Sequence, residues 1–214
     1  MKIENYKHVI WDWNGTIIND VNLSMELINQ LLSARGLKTL KVEDYREVFT
    51  IPVKNYYSQL GFDFSKESFE VVGKQWMEGY ESRKFECGLY DGVIEVLDKF
   101  SHLGIGQSIL SAYSQHTLDE MVEHRGLKKY FTHVVGLDNI YAASKMHLGI
   151  DLMNKLGNGK GETLLIGDTE HDFEVAVEIG ADCILIADGH QSIEKLERTG
   201  TTVLPTLNSL LLGL

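Results

Sequence analysis

The chain has 214 residues, 43% hydrophobic and 24% charged, with two prolines. That composition excludes collagen-like, low-complexity and wholly disordered chains, and the length allows one large domain or a core carrying an insert. Twenty Lys and Arg against 31 Asp and Glu give a net charge of −11, a field that repels phosphate backbones and anionic membrane surfaces, so neither nucleic acid nor a membrane is an expected partner. Cys87 and Cys183 are the only cysteines, too few for a disulfide scaffold or a thiolate zinc site. No stretch approaches the ~20 apolar residues of a spanning helix or the form of a signal peptide, so a soluble cytoplasmic protein is expected.

In chain order, the first strand is the apolar run His8 to Trp11, closed by Asp12 in HVIWDWNGT. From about Asn19 to Arg83 only helical periodicity follows, at Val21 to Arg35, Val42 to Phe49, Val53 to Gln59 and Lys66 to Arg83. A helix over Gly92 to Leu103 places Val93, Val96, Leu97 and Phe100 on one stripe. Next come a strand at Ile105 to Leu110 closed by Ser111, a helix at Thr117 to Arg125 stopped by Gly126, and a strand at His133 to Val135. The chain then reads as a helix at Lys145 to Leu156, a strand at Thr163 to Ile166, a helix at Asp172 to Ile179 and a strand at Cys183 to Ala187. GNGKG at Gly157 to Gly161 reads as a loop, because no Ser or Thr follows Lys160 as a phosphate-cradling loop requires.

Strands alternating with helices, joined by right-handed crossovers, predict an α/β protein with a Rossmann-like, doubly wound parallel sheet. Residues 1–18 and 84–214 form the expected core, and 19–83 an α-helical cap inserted after the first strand. In open α/β sheets ligands bind beyond the carboxyl ends of the strands, so such an insert stands over the site as a lid. Asp12, Asp168 and Asp172 follow predicted strands and converge on that rim with Ser111 and Lys145. Crowded carboxylates repel unless a hard cation such as Mg²⁺ neutralises them. Singly, each residue has an ordinary reading as a turn residue, a helix cap or a solvated lysine.

Taken in order, DWNGT, Ser111, Lys145 and GDTEHD resemble the four-motif signature of the haloacid dehalogenase superfamily over nearly the whole chain, and GLYDG at Gly88 to Gly92 resembles its phosphoglycolate phosphatase-like members. The resemblance implies a phosphohydrolase acting on a small phosphorylated metabolite. Asp12 would attack phosphorus and form an aspartyl-phosphate that water hydrolyses. Mg²⁺ would be held by Asp12, the Asn14 carbonyl and Asp168, with Asp172 direct or through water. Ser111 and Lys145 would hold the phosphoryl group, and the Trp13 to Thr16 loop, through Gly15 and Thr16, would add amide donors.

One position departs from that family: its phosphatases carry a general acid and base where this chain has Asn14. An amide cannot shuttle the proton, a handicap of ~10²–10⁴ on alkyl phosphates. His171 is a conceivable substitute, though expected to be an exposed helix-start residue. Two alternatives follow from the departure. Phosphonoacetaldehyde hydrolases share the Asp-Trp-x-Gly-Thr loop and use a cap lysine, for which Lys54 is the counterpart here, and a catalytically impaired member would bind phosphorylated ligands without turnover. Within the insert Arg46, Lys54, Tyr56, Tyr57, Trp76, Tyr80 and Arg83 are candidates to line a substrate pocket.

Overall fold

The computed structural model describes residues 3–137, 145–159 and 161–212, so Lys160 lies outside the described residues. Six strands, β1 (His8–Trp11), β2 (Gly106–Ser114), β3 (His133–Leu137), β4 (Thr163–Gly167), β5 (Asp182–Ile186) and β6 (Thr202–Leu204), form one sheet in the order β3-β2-β1-β4-β5-β6. Every pairing is parallel. β6 escapes prediction because Thr202–Leu204 is a three-residue edge strand with no apolar run to mark it. The central strand, β1, is buried at every residue, and its side chains alternate between two apolar layers. Val9 and Trp11 pack with Phe100, Ile109 and Ile166, whereas Ile10 packs with Leu110, Leu165 and Leu185.

Strand order reverses at β1, which opens the crevice beyond the carboxyl ends of β1 and β4. Helices α1 (Val21–Ala34), α2 (Val42–Val48), α3 (Val53–Gln59) and α4 (Phe69–Arg83) all lie between β1 and β2 in sequence. α4 starts later than its periodicity suggests, because Asp63 accepts from the Ser65 amide and hydroxyl in a tight turn and Ser68 stands at the N-cap position. These helices share an apolar cluster of Val21, Ile28, Leu32, Tyr45, Tyr56 and Val72.

The remaining helices are α5 (Val93–His102), α6 (Gln115–His124), α7 (Met146–Leu156), α8 (Glu170–Ile179), α9 (Ile193–Glu197) and α10 (Ser209–Leu212). The end of α2 is tied to the chain after β5: Arg46 donates to the Asp188 carbonyl at 2.6 Å, Gln191 to the Phe49 carbonyl at 3.0 Å, and the Ser192 amide to the Arg46 carbonyl at 3.2 Å. Trp76 of α4 packs against both the helical cluster and the sheet core. Among the described residues no helix is long and apolar enough to cross a membrane.

Candidate active site

Two of the three candidate acids sit directly after a buried strand. Asp12 follows β1, Asp168 follows β4, and Asp172 lies in the first turn of α8, where its Oδ2 accepts from the Asp168 amide, the Thr169 amide and the Thr169 hydroxyl. Asp172 thereby closes a capping box that fixes the start of α8. One ligand oxygen from each of Asp12, Asp168 and Asp172 lies within 4.8 Å of the others, and all three residues are buried. Lys145, 2% exposed, pairs with Asp12, with Asp172 at 2.7 Å, and with the Leu110 carbonyl at 3.0 Å.

Three carboxylates thus face one ammonium. Burial, which Asp172 and Asp168 reinforce and Lys145 opposes, pushes the Asp12 carboxyl up to about 8. Burial likewise raises Asp168 to about 6, against the pull of His190. Asp172 goes the other way: burial would raise it, but Lys145 and the Thr169 hydroxyl hold it below its ordinary value. A cluster of oxygen donors with more negative charge than its lysine balances, two of them reluctant to ionise, fits a hard divalent cation. Asp168 Oδ1 accepts from Thr16 and Oδ2 from the His190 amide, which orient it.

Ser111 lines the same cavity, with its Oγ accepting from the Tyr113 amide at 3.1 Å. It lies inside β2 rather than at its end, since the strand continues to Ser114 with a register shift between Leu110 and Ser114. Gly15 and Thr16 differ from expectation. The Gly15 amide donates to Asp20 and to the Ile18 carbonyl, and Thr16 is fully buried with its amide on Trp13 and its hydroxyl on Asp168. Both residues build the acid cluster instead of offering donors to a substrate. Gly15 does so by conformation, at φ 76°, where an added Cβ would overlap the Asp168 carboxylate and the His190 ring.

Asn14 is turned away from proton transfer. Its Nδ2 donates to Asp20 Oδ2 at 2.9 Å and to the Tyr80 hydroxyl at 2.7 Å, and that hydroxyl donates to the same Asp20 oxygen at 2.9 Å. His190 completes the network, with Nε2 3.2 Å from Asp20 Oδ1 and Nδ1 2.8 Å from the Tyr45 hydroxyl. Burial works to raise Asp20, and the His190 charge with hydrogen bonds from His190, Asn14 and Tyr80 reverses it, leaving the carboxyl below its ordinary value. Burial disfavours a charged His190, yet Asp20 and Asp168 hold it at about 9. No motif marks Asp20 or His190 in the sequence. Asp20 stands directly before the α1 pattern, the usual place of an N-cap, but its side chain makes no cap bond. His171 is buried at the start of α8, with Nδ1 3.1 Å from Glu174, and is not the exposed residue expected of a helix start.

Above these groups is a cavity of about 440 Å³ that Asp12, Asn14, Ser111, Lys145, Asp168 and Asp172 share with the helices. Lys54, Tyr56, Tyr57, Trp76 and Tyr80 line it as expected. Arg46 and Arg83 are not among the lining residues: Arg46 is spent on Asp188, and Arg83 on Glu26 and Glu86. Lys54 is exposed, its ammonium 5.9 Å from the Phe64 ring centroid and 6.0 Å from that of Phe69.

A family model described as haloacid dehalogenase-like hydrolase matches residues 9–186, and the chain belongs to that family. A phosphoglycolate phosphatase of Rhodobacter capsulatus is 24% identical over 86% of this chain and 85% of its own. Two solved structures share the fold. A predicted phosphatase from Clostridium acetobutylicum superposes with a TM-score of 0.82 at 20% identity, over 98% of this chain and 99% of its own. A haloacid dehalogenase-like family protein from Streptococcus pneumoniae superposes with a TM-score of 0.83 at 15% identity over the same shares.

Proposed function

We propose that this hydrolase is a Mg²⁺-dependent phosphatase of small phosphorylated metabolites that passes the phosphoryl group through the Asp12 carboxylate. The observation that carries the reading is the buried meeting of Asp12, Lys145, Asp168 and Asp172 at the open end of the sheet, under a cavity of metabolite size. It agrees with the phosphatases among the chain's relatives.

Asp12 presents a carboxylate oxygen to phosphorus, and Lys145 holds that carboxylate in one orientation while keeping its charge available to the incoming phosphoryl oxygens. The Ser111 Oγ accepts from a backbone amide, which leaves its own hydrogen to donate to a phosphoryl oxygen. Asp12, Asp168 and the Asn14 carbonyl would hold the ion; Asp172 Oδ2 is taken by the Asp168 and Thr169 donors, while Oδ1, 2.7 Å from Lys145, makes no hydrogen bond among the described residues and would meet the ion directly or through water. Mg²⁺ bound there screens the repulsion between nucleophile and substrate and offsets charge on the transferring group. Residues 19–83 act as the cap that closes over the phosphoryl site, and Lys54 steers anionic substrates at its exposed side.

The test is phosphate release with Mg²⁺ from a panel of phosphomonoesters, alongside acid-quenched trapping of label from acetyl phosphate on Asp12. Asp12→Asn should abolish both while the chain stays folded by circular dichroism. Undiminished turnover in that variant overturns the reading, and ligand binding without any turnover in the unaltered protein favours a non-catalytic member.

A further inference from the structure

The cavity over Asp12 has an aromatic roof. Phe49, Tyr56, Tyr57, Phe69, Trp76 and Tyr80 line it, with Ile28, Val53 and Met77 between them. Lysines other than Lys145 reach it only as Lys54 and Lys74, both exposed, and no arginine is among its described lining residues. The buried cations among the described lining residues, Lys145 and His190, are already paired, Lys145 with Asp12 and Asp172 and His190 with Asp20, so a small carboxylated leaving group would have to compete for them. A planar apolar body would find rings on several sides: Tyr56 meets Phe49 at 5.4 Å and Tyr57 at 5.5 Å between centroids, and Trp76 stacks on Tyr80 at 5.1 Å.

Two further observations point the same way. Tyr56 is 2% exposed, yet its hydroxyl has no hydrogen-bond partner among the described residues. A buried unpaired hydroxyl costs ~1–3 kcal/mol, so a partner is expected to arrive with the ligand. The second observation concerns the proton. The polar side chain at position 14, on the loop that carries Asp12, is an amide whose nitrogen is spent on Asp20 and Tyr80, and both nitrogens of His190 face Asp20 and Tyr45. A leaving oxygen that must be protonated as it departs therefore finds Asn14 and His190 already engaged, and the other imidazole in the lining, that of His171, sits 3.1 Å from Glu174. A phenol, with a pKa of about 10 like the tyrosine side chain, departs as its anion far more readily than an alcohol does.

We propose that the substrate is a small aryl phosphomonoester whose ring sits among Tyr56, Phe49 and Trp76 and carries a polar substituent that meets the Tyr56 hydroxyl. This rests on Asp12 being the phosphoryl acceptor. In the first step an Asp12 oxygen forms a bond to phosphorus as the bond from phosphorus to the aryl oxygen breaks. The electron pair leaves on the aryloxide, which takes its proton from solvent. In the second, water attacks phosphorus, the bond to Asp12 breaks with its pair returning to the carboxylate, and the water's proton leaves on the phosphate.

The test uses the Mg²⁺-loaded full chain and two readouts. In direct binding, phenylphosphonate should bind at least about tenfold more tightly than methylphosphonate. A hydroxyl on the ring should add affinity that Tyr56→Phe removes, while that variant keeps its affinity for unsubstituted phenylphosphonate. In turnover, phenyl phosphate should exceed phosphoglycolate in kcat/KM by ~10²-fold or more, and Trp76→Ala should raise KM for aryl esters without raising it for alkyl ones. Equal affinity for the two phosphonates, or phosphoglycolate turned over as well as phenyl phosphate, overturns the proposal. A phosphotyrosine peptide preferred over phenyl phosphate overturns its small-molecule form. If Asp12 is labelled by acetyl phosphate but aryl esters gain nothing, the substrate class fails alone. If acetyl phosphate leaves Asp12 unlabelled, the phosphatase reading fails with it.

Discussion

On the floor of the cavity Asp12, Lys145, Asp168 and Asp172 are ionisable, buried and bonded to one another or to the backbone; in the roof Phe49 meets Tyr56 and Trp76 meets Tyr80 through ring faces and edges, and the Tyr56 hydroxyl has no hydrogen-bond partner among the described residues. The floor is built on the ends of parallel strands, where backbone register sets each position to a fraction of a residue. The roof is built on α2, α3 and α4, whose positions depend on how their side chains pack. A rigid charged site on strands suits chemistry common to many substrates, and a roof of packed rings is the part that can differ from one substrate to the next.

The sharpest way to break the floor is Gly15→Ala. A methyl at φ 76° is strained, and there it would overlap the Asp168 carboxylate and the His190 ring. Displacing a positioning group by about 1 Å can cost ~10² in rate, so kcat should fall by at least that factor and the thermal midpoint should drop with it. An alanine variant with full phosphate release would show that Asp168 need not sit where it does.

Much of the floor was legible because its acids follow apolar runs: the HVIW and LLIG strands announce Asp12 and Asp168, and only parallel neighbours can bring those ends together. The same logic missed Asp20 and His190, which lie in loops without periodicity and meet only in the folded chain. It also gave Gly15 and Thr16 to the substrate, since a loop's sequence does not say whether its amides face outward or, as here, back onto Asp20, Ile18 and Trp13. The roof was legible as helices and as a set of aromatic residues. Arg46 and Arg83 are drawn out of the cavity by contacts with Asp188 and with Glu26 and Glu86, which no spacing predicts.

A smaller effect separates floor from roof by pH. A carboxyl raised in the folded state contributes stability that is complete below its unfolded value and lost as pH rises through the folded one. For Asp12 the window runs from 3.8 to about 8, and for Asp168 from 3.8 to about 6. Asp20 and Asp172 are lowered, so their contributions are already in place above the ordinary carboxylate range. His190, raised to about 9, loses its contribution between 6.5 and that value. Metal-free protein should therefore lose thermal stability from about pH 5 to pH 8, and Mg²⁺ should restore the carboxylate part, so that the gain in Tm on adding it grows across the range. A gain that does not change with pH would mean that the ion does not meet these acids.

The finest comparison lies within the roof, between two tyrosines whose rings meet edge to face at 6.1 Å. The Tyr45 hydroxyl is 2.8 Å from His190 Nδ1, whereas the Tyr56 hydroxyl has no partner among the described residues. Tyr45→Phe leaves a buried ring nitrogen unpaired and should cost ~1–3 kcal/mol. At roughly 2–4 °C per kcal/mol for a chain of this size, that is a visible fall in Tm of the ligand-free protein. Tyr56→Phe removes a group that gains nothing from being there without a ligand, so its Tm should hold or rise. Equal losses in the two variants would show that Tyr56 already has a partner in the free protein, and its hydroxyl would then no longer be available to select a substrate.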